Sequence, residues 1–467
     1  MLFSSISFIY YFLPIVLMLY FLVPFKFKNF VLLISSLFFY FYGEPIYSIL
    51  MLISILSGYL HGLWIYRSRK SRYAKIPLIC SVVFSIGILL YFKYADFLIE
   101  NINWIFGIKI NSLKVVLPIG ISFYTFQILS YTIDVYRGNA KVQTNFFNFA
   151  AYVTLFPQLI AGPIVRYTTV EQQLSNRKHS VEDFACGVNR FIVGLSKKVL
   201  IANTLGELGN IFSNLVDSTI LFYWIGAISF MLQIYYDFSG YSDMAIGLGR
   251  IFGFHFLENF NYPYISKSIS EFWRRWHISL GTWFRDYVYI PMGGNRAGAL
   301  KWIRNVFTVW FLTGLWHGAN WNFIIWGLYF GILLIIEKFL LNDLLRKLPP
   351  AAGHIYTLFF AAISFIIFNT NNITECIVYI KGMLGILDIP FSNAETYYYL
   401  RSYGFTLIIA AVGSTPLVTE TVGKIKLNKN GEAFLNISEP VVLVSLLLLI
   451  TGYLIDGSFN PFLYFRF

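Results

Sequence analysis

Apolar residues form long, nearly unbroken stretches separated by short polar connections. The stretches cover residues 5–23, 29–43, 45–66, 76–93, 113–135, 185–206, 219–236, 305–336, 354–369, 403–419 and 441–456. As helices, most of them are long enough to cross the roughly 30 Å hydrocarbon core of a bilayer. The stretch 305–336 is too long for one crossing and too short for two with a loop, so we expect a break near residues 314–318 and a turn within the membrane. The pattern predicts an all-α, polytopic membrane protein with about 11–12 transmembrane helices.

Cations in the connections predict the orientation of these helices. Basic residues follow the odd-numbered crossings, at 26–28, 67–72, 137–141, 166–178, 274–304, 338–347 and 424–429. Because cytoplasmic loops carry the excess of Lys and Arg, these connections are expected in the cytoplasm and both termini outside. The net charge of +12 therefore reports topology and does not indicate a nucleic-acid partner.

Composition agrees with a membrane protein and excludes several kinds of site. The chain is 57% hydrophobic and only 12% charged, against about 25% charged in soluble proteins. Its three cysteines are scattered and show neither metal-ligand nor disulfide spacing, so no metal site is predicted. The motifs of serine hydrolases, phosphate-binding loops and zinc peptidases are missing from the sequence. We expect one integral membrane domain over 1–467, with N-terminal spans in 1–140, a catalytic core in 141–340 and C-terminal spans with an aromatic tail in 341–467.

Two segments fit neither a span nor a simple loop. In 156–164, two prolines and a glycine bracket an apolar stretch that is too short to cross, which predicts a re-entrant hairpin. In 259–291, cations and indoles form an amphipathic pattern typical of a membrane interface or of the wall of a water-filled funnel. The alternative for the second segment is an aromatic and basic belt at the lipid headgroups.

His317 is the most informative polar residue of the apolar stretches. It lies 13 residues beyond Arg304, the last cation before its stretch, which corresponds to roughly 20 Å of helix. An imidazole at that depth is costly unless it has a partner, and polar residues within a membrane commonly mark functional sites. The alternative is a histidine that bonds a neighbouring carbonyl and has no further role.

The stretches 156–165, 233–249, 258–296 and 312–327 closely resemble the membrane-bound O-acyltransferases. The resemblance is to the bacterial branch that includes the membrane subunits of alginate and peptidoglycan O-acetyltransferases and the D-alanyl-teichoic-acid transferase. It implies a ring of helices with re-entrant segments around a central tunnel, in a bacterial cell membrane. It also implies acetyl-CoA as a donor substrate with no bound cofactor, a polysaccharide acceptor and an extracytoplasmic partner protein that takes over the acetyl group.

The two histidines of the family correspond to His317 and His277. A hydroxyl that attacks a thioester must lose its proton to a base, and His317 is the deep base in this sequence. His277 either bonds a substrate or is a structural residue at the interface.

The resemblance places further candidates around these histidines. The expected substrate-binding residues in this region are Trp273, Arg274, Arg275, Trp276, Arg285, Trp316 and Asn320. The arginines bind either the phosphates of CoA or lipid headgroups. Asp237, Tyr241 and Asp243 follow the stretch 219–236 and either bind the donor or cap a helix.

The C-terminal residues 462–467 contain four aromatic side chains and are expected on the outer face. They resemble a short aromatic C-terminal motif of the same branch, whose tyrosine can carry the acyl group. Here that tyrosine is Tyr464, and a phenol with a pKa of about 10 loses its proton more readily than an aliphatic alcohol. The alternative is a tail that lies in the outer headgroup layer.

Two other functions remain open from the sequence. A buried histidine, a tunnel and a basic inner mouth would also suit a lipid or polysaccharide transporter. A non-catalytic scaffold of an export complex is the third possibility, although it leaves the cost of burying His317 unexplained.

Overall fold

A computed structural model describes residues 1–160, 162–214, 218–296 and 298–457. Throughout these ranges the secondary structure is helical and no strand occurs, which confirms the all-α prediction. Tyr464 and the rest of the aromatic tail lie outside the described residues. The chain divides into two compact units, one formed by Met1–Phe191 with Ser242–Leu257 and the other by Ile192–Tyr241 with the chain from Glu258 onward.

The first unit contains the N-terminal helices. They are Ser7–Leu22, Phe25–Gly43, Tyr47–Ser68, Lys75–Phe106, Ile121–Arg137, Phe146–Thr154, Phe156–Leu159 and Tyr167–Ser175, together with parts of Val181–Ser196 and Ile220–Ile251. Glycines with positive φ end or precede several of them, because this backbone region is open to glycine at little cost. Gly107, at φ 63°, ends Lys75–Phe106, and Gly120, at φ 75°, precedes Ile121–Arg137. The stretch predicted to span from 113 is therefore helical only from Ile121 onward.

Aromatic packing holds the predicted re-entrant segment inside the first unit. Phe156 begins a single helical turn, Phe156–Leu159, and its ring lies 5.4 Å from that of Phe12 and 5.7 Å from that of Phe39. Its backbone N–H donates to the Ser36 hydroxyl at 3.0 Å. Residues 162–165 continue the chain without helix and are buried. Irregular backbone is thus surrounded by protein here, as a membrane environment requires.

The second unit contains the remaining helices. They are Lys197–Ala202, Asn203–Asn214, Pro263–Ile265, Ile269–Arg275, Ile278–Phe284, Arg285–Tyr289, Gly294–Arg296, Ala299–His317, Trp321–Ile336, Glu337–Leu341, Asn342–Lys347, Pro350–Asn369, Ile373–Met383, Ala394–Gly413, Leu417–Lys426 and Lys429–Ile455, with the first part of Ile220–Ile251. The segment 259–291, which fitted neither a span nor a loop, consists of short helices. Among them, Ile269–Arg275 begins where Ser268 accepts a hydrogen bond from the backbone of Glu271, an N-cap that the Ser-x-x-Glu spacing favours.

Six of the described helices are long and apolar enough to cross a membrane. A seventh crossing results if Ala394–Gly413 and Leu417–Lys426, which are bent by 64° at their break, form one span. The break follows from Pro416, which cannot continue the ladder of the preceding helix. The orientation of the termini and the total of twelve crossings stay predictions.

The predicted end of the stretch 219–236 is wrong. Ile220–Ile251 is one continuous helix of 32 residues, so Asp237, Tyr241 and Asp243 lie in its interior and do not cap an end. Asp237 pairs with Lys198 at 2.6 Å, and both side chains are almost completely buried. Their polar character suggested a helix end, but a neighbouring cation makes a carboxylate tolerable inside a buried helix.

Candidate active site

His317 is the last residue of a helix that packs closely against the next one. Ala299–His317 and Trp321–Ile336 form an antiparallel pair, and the break between them falls at 318–320, at the edge of the predicted interval. Side chains on Gly314 and Gly327 would collide with the carbonyls of Phe323 and Trp310, so glycine permits the close approach. Asn320 accepts a hydrogen bond from the backbone of Asn322 at 3.0 Å and thereby caps the second helix.

Aromatic rings enclose the His317 side chain. The imidazole is 8% exposed, and its centroid lies 5.1 Å from that of Trp316, 4.9 Å from that of Trp326 and 5.3 Å from that of Phe368, each edge to face. This shell excludes water and holds the ring orientation by packing. A side chain held in this way keeps its geometry when a ligand binds.

His277 is fixed by hydrogen bonds and by an unusual backbone conformation. It is 2% exposed and adopts φ 45°, which is uncommon and costly for a residue with a Cβ. Asn259 Oδ1 accepts hydrogen bonds from the backbone and hydroxyl of Ser279, so the 3.1 Å contact to His277 Nδ1 is a donation from the imidazole. Burial lowers the pKa of His277 to about 3. The neutral ring therefore has its lone pair on Nε2.

A cavity of about 1220 Å³ lies beside these residues in the second unit. The exposed part of its lining carries the cations Lys267, Arg274, Arg285, Lys338 and Arg346. Among the described lining residues, Glu337 is the single carboxylate, and it is occupied by hydrogen bonds from the backbone of Ile269 and Ser270. The exposed lining is therefore strongly cationic, which suits a polyanionic ligand.

The buried part of the lining is aromatic and leads towards His317. Trp310 and Thr313 line the cavity from Ala299–His317. Residues spaced by three or four share one helix face, so His317 continues this face one turn beyond Thr313, at a rise of about 6 Å. His317 is not itself in the lining, but His277 is, and its ring lies 5.8 Å from that of Trp316.

Trp273, a residue of the cavity lining, has a buried polar atom. Its ring packs 4.6 Å from Trp310 and 4.7 Å from Phe330. Its indole Nε1 is buried and has no hydrogen-bond partner among the described residues. A buried donor of this kind costs about 1–3 kcal/mol unless an acceptor reaches it.

Comparison with known proteins identifies the chemistry. The sequence model of the membrane-bound O-acyltransferase family matches residues 139–379, more than half of the chain. The chain belongs to this family. It is an O-acyltransferase, and the transporter and scaffold interpretations are set aside.

Curated relatives of this acyltransferase agree with that assignment. A protein named "Probable alginate O-acetylase" from Pseudomonas aeruginosa is 46% identical over 80% of this chain and 73% of its own length. A protein of the same name from Pseudomonas putida is 38% identical over the full length of both chains. The peptidoglycan O-acetyltransferase of Helicobacter pylori is 34% identical over 83% of this chain and 80% of its own length.

The structure brings only some of the predicted site residues of the acyltransferase to the cavity. Trp273, Arg274, His277 and Arg285 line it. Arg285 also pairs with Asp286 at 2.7 Å, and this hydrogen bond raises the pKa of Arg285. The other predicted residues, which do not line the cavity, are Arg275, Trp276, Asp237, Tyr241, Asp243, Trp316, His317 and Asn320.

Several of these other residues have structural contacts instead. Arg275 binds Glu271 at 2.8 Å, and the ring of Trp276 stacks on that of Phe272 at 5.6 Å. Asp243 pairs with Arg190 at 2.8 Å inside the first unit.

Sequence reasoning missed three features of the site. Asn259 positions His277, Glu337 caps Ile269–Arg275, and Lys338 lies 3.7 Å from the ring centroid of Trp302 in the cavity lining. Only Glu337 left a signal, because it is the first acidic residue after the apolar stretch 305–336. An acid directly at the end of such a stretch is a candidate for a buried hydrogen-bonding role.

Proposed function

We propose that this acyltransferase moves an acetyl group from acetyl-CoA to an acceptor on the outer side of the membrane, for O-acetylation of a cell-surface polysaccharide. The observation that carries the proposal is one cavity that combines an exposed cationic end with a buried aromatic face leading to His317. CoA combines phosphate groups with a long uncharged arm that ends in the thioester. The phosphates match Lys267, Arg274 and Lys338, and the arm matches the aromatic face.

In the reaction, His317 acts as the general base. A hydroxyl oxygen of the acceptor attacks the thioester carbonyl carbon while the imidazole takes its proton, and the carbon–sulfur bond breaks. The proton then passes from the imidazole to the departing sulfur, so that CoA leaves as the thiol. General-base catalysis of this kind commonly contributes about 10²–10⁴ in rate.

Trp273 and His277 position the donor. The indole N–H of Trp273 donates to a carbonyl of the donor arm, either the thioester or an amide, and thereby satisfies a buried polar atom. His277, which lines the cavity and is held by Asn259, contacts the same arm. His277 is thus a positioning residue in this mechanism, and its loss weakens donor binding more than it slows the chemical step.

The acceptor side of the mechanism rests on the resemblance and on the relatives. Proteins named for alginate and peptidoglycan O-acetylation are similar to this chain, so an extracytoplasmic polysaccharide is the proposed final acceptor. We place both termini outside a bacterial cell membrane, with the cationic cavity facing the cytoplasm. Tyr464 is the proposed acyl relay, and an outer partner protein takes the acetyl group from it.

The test compares His317→Ala with a matched histidine control. His255 is exposed and makes its hydrogen bond through the backbone, so His255→Ala removes an imidazole without disturbing the cavity. Purified variants are incubated with radiolabelled acetyl-CoA, and CoA release and acetyl transfer are measured. His317→Ala should lose about 10²-fold or more in rate while His255→Ala keeps the wild-type rate. More than a tenth of the wild-type rate in folded His317→Ala would exclude the base assignment.

A further inference from the structure

A group of cationic side chains lies in the first unit and includes none of the candidate site residues. We call Lys28, Arg177 and His179, with the hydroxyl of Tyr20 between them, the Arg177 cluster. Arg177 is 5% exposed, and its Nε donates to the Tyr20 hydroxyl at 2.7 Å. Lys28 Nζ lies 4.6 Å from the Tyr20 ring centroid, and His179 Nε2 lies 2.8 Å from the Tyr20 hydroxyl. The cluster thus brings three cationic or potentially cationic groups around one phenol.

Every hydrogen-bond partner of the buried guanidinium among the described residues is neutral. Arg177 Nη1 donates to Asn29 Oδ1 at 2.6 Å and to the Gln173 carbonyl at 3.3 Å. Its remaining neighbours are rings, with the guanidinium 4.6 Å from the centroid of Phe254 and 5.5 Å from that of Phe25. Aromatic faces attract a cation, but they do not neutralise it.

The positive charge of the cluster has no acidic counterpart. Within the described ranges, no Asp or Glu forms an ion pair with Lys28, Arg177 or His179. The pKa of Lys28 is lowered by burial and then by Arg177, and that of His179 by burial and then by Lys28 and Arg177. A buried charge costs several kcal/mol unless an opposite charge compensates it. The cluster is therefore suited to an anion from outside the chain.

One donor atom of the cluster remains unused. Arg177 Nη2 is buried and has no hydrogen-bond partner among the described residues. A guanidinium whose Nη2 is unengaged suits an oxyanion that accepts several hydrogen bonds, and phosphate is one of the anions that arginine binds in this way. Lys28 and His179 are half-buried and form the accessible side of the cluster, so the ligand would meet them first.

The surroundings favour a lipid as the source of that phosphate. At the junction between Ser7–Leu22 and Phe25–Gly43, Phe21 is 44%, Leu22 74% and Phe25 42% exposed. The acyl chains of a lipid require exposed apolar side chains, and its anionic headgroup requires a cationic site beside them. A free anion gains nothing from contact with these apolar side chains. Basic residues at the cytoplasmic surface also attract anionic lipids.

We propose that the Arg177 cluster binds the phosphate of an anionic phospholipid whose acyl chains lie along Phe21, Leu22 and Phe25. This site shares no residue with the cavity lining, and the proposal does not depend on the proposed function. The lipid phosphate holds the first two helices because it compensates the positive charge of the Arg177 cluster. Phosphatidylglycerol and phosphatidylcholine of the same acyl chains distinguish the charge requirement from general lipid binding.

The experiment measures lipid adducts of the full-length protein by native mass spectrometry, together with the thermal midpoint in detergent. The wild type should bind phosphatidylglycerol at least about tenfold more tightly than phosphatidylcholine, as expected for a charge-assisted contact. Lys28→Gln and Arg177→Gln should lose most of this preference. Lys70→Gln is the matched control, since Lys70 is an exposed cation of the same unit, and it should retain the preference.

The outcomes separate the possible ligands. Arg177→Gln can disturb the hydrogen bonds to Tyr20 and Asn29, so Lys28→Gln, which loses only contacts to ring faces, decides the result if the former does not fold. Equal binding of the two lipids by the wild type, or an undiminished preference in Lys28→Gln, would overturn the proposal. Thermal protection by inorganic phosphate with no lipid preference would also overturn it, because the ligand would then be a free anion. The KM for acetyl-CoA should be unchanged in Lys28→Gln; a raised KM would assign the cluster to the donor instead.

Discussion

Two adjacent arginines provide a matched test of the proposed donor cavity. Arg274 lines the cavity, is exposed and makes one hydrogen bond, to the Ser270 carbonyl at 3.2 Å. Arg275 does not line it and is engaged by Glu271 at 2.8 Å and by the Asn261 carbonyl at 3.1 Å. Substitution of each by Gln removes one positive charge at neighbouring positions of the same short helix. Only the first substitution removes that charge from the cavity.

The expected effect of Arg274→Gln on the KM for acetyl-CoA follows from the exposure of this side chain. A hydrogen bond to a charged group is worth about 1.5–3 kcal/mol, and solvent screening reduces the value for an exposed arginine to about 1 kcal/mol. This corresponds to an approximately fivefold rise in KM for acetyl-CoA. Arg274→Glu should raise KM further, and Arg285→Glu should have a smaller effect because Asp286 already compensates that charge. The effect should be larger at low salt, where screening is weakest.

Steady-state acetyl transfer at low and high ionic strength provides the assay. Arg275→Gln should leave KM unchanged and lower the thermal midpoint, because it breaks contacts within the helix and to Asn261. An equal rise in KM for both variants would show that the arginines act through the general charge of the surface. No rise for Arg274→Gln would show that the donor phosphates bind elsewhere and that Arg274 contacts lipid headgroups.

Three further predictions concern pH, a buried ion pair and the acyl relay. The pKa of His277 is about 3 in the folded protein and about 6.5 in the unfolded chain, so the unfolded chain takes up more protons below pH 6.5. The free energy of unfolding should therefore fall with decreasing pH by up to about 1.4 kcal/mol per pH unit. In His277→Gln, the fall in thermal midpoint between about pH 7 and pH 5 should be smaller than in the wild type. Lys198→Met should destabilise the protein by about 3–5 kcal/mol because it leaves Asp237 without its cation. The Lys198→Met/Asp237→Leu double variant should recover most of the lost thermal midpoint. No recovery would mean that the carboxylate has a role besides pairing. After incubation with acetyl-CoA, peptide mass spectrometry should find acetyl on Tyr464, and Tyr464→Phe should stop acceptor acetylation; full acetylation by this variant would exclude the relay.

The sequence predicted the features that depend on local pattern. Apolar stretches became helices, and the break after His317 fell where two glycines and an Asn cap allow a tight helix pair. The amphipathic segment 259–291 supplied part of the cavity lining, through Lys267, Trp273, Arg274 and Arg285.

The features that the sequence did not predict depend on contacts between residues that are far apart in the chain. The sequence predicts a helix end at Asp237, but Lys198 neutralises this carboxylate and the helix continues to Ile251. Glu337 caps a helix 68 residues away in the chain, and no local pattern encodes that pairing. The hydrogen bond from His277 to Asn259 likewise depends on tertiary packing. Arg274 and Arg275 look alike in the sequence, and only the fold separates one that lines the cavity from one that pairs with Glu271.

The central claim is that the cation-lined cavity holds the acyl donor and directs its thioester towards His317. It is tested most directly by a structure of the full-length protein with a non-hydrolysable acetyl-CoA analogue. We expect the phosphates among Lys267, Arg274 and Lys338, the arm against Trp273 and Trp310, and the acetyl carbonyl beyond Thr313 on the side of His317. An analogue bound outside this cavity, or bound in it with the acetyl group directed away from His317, would contradict the account.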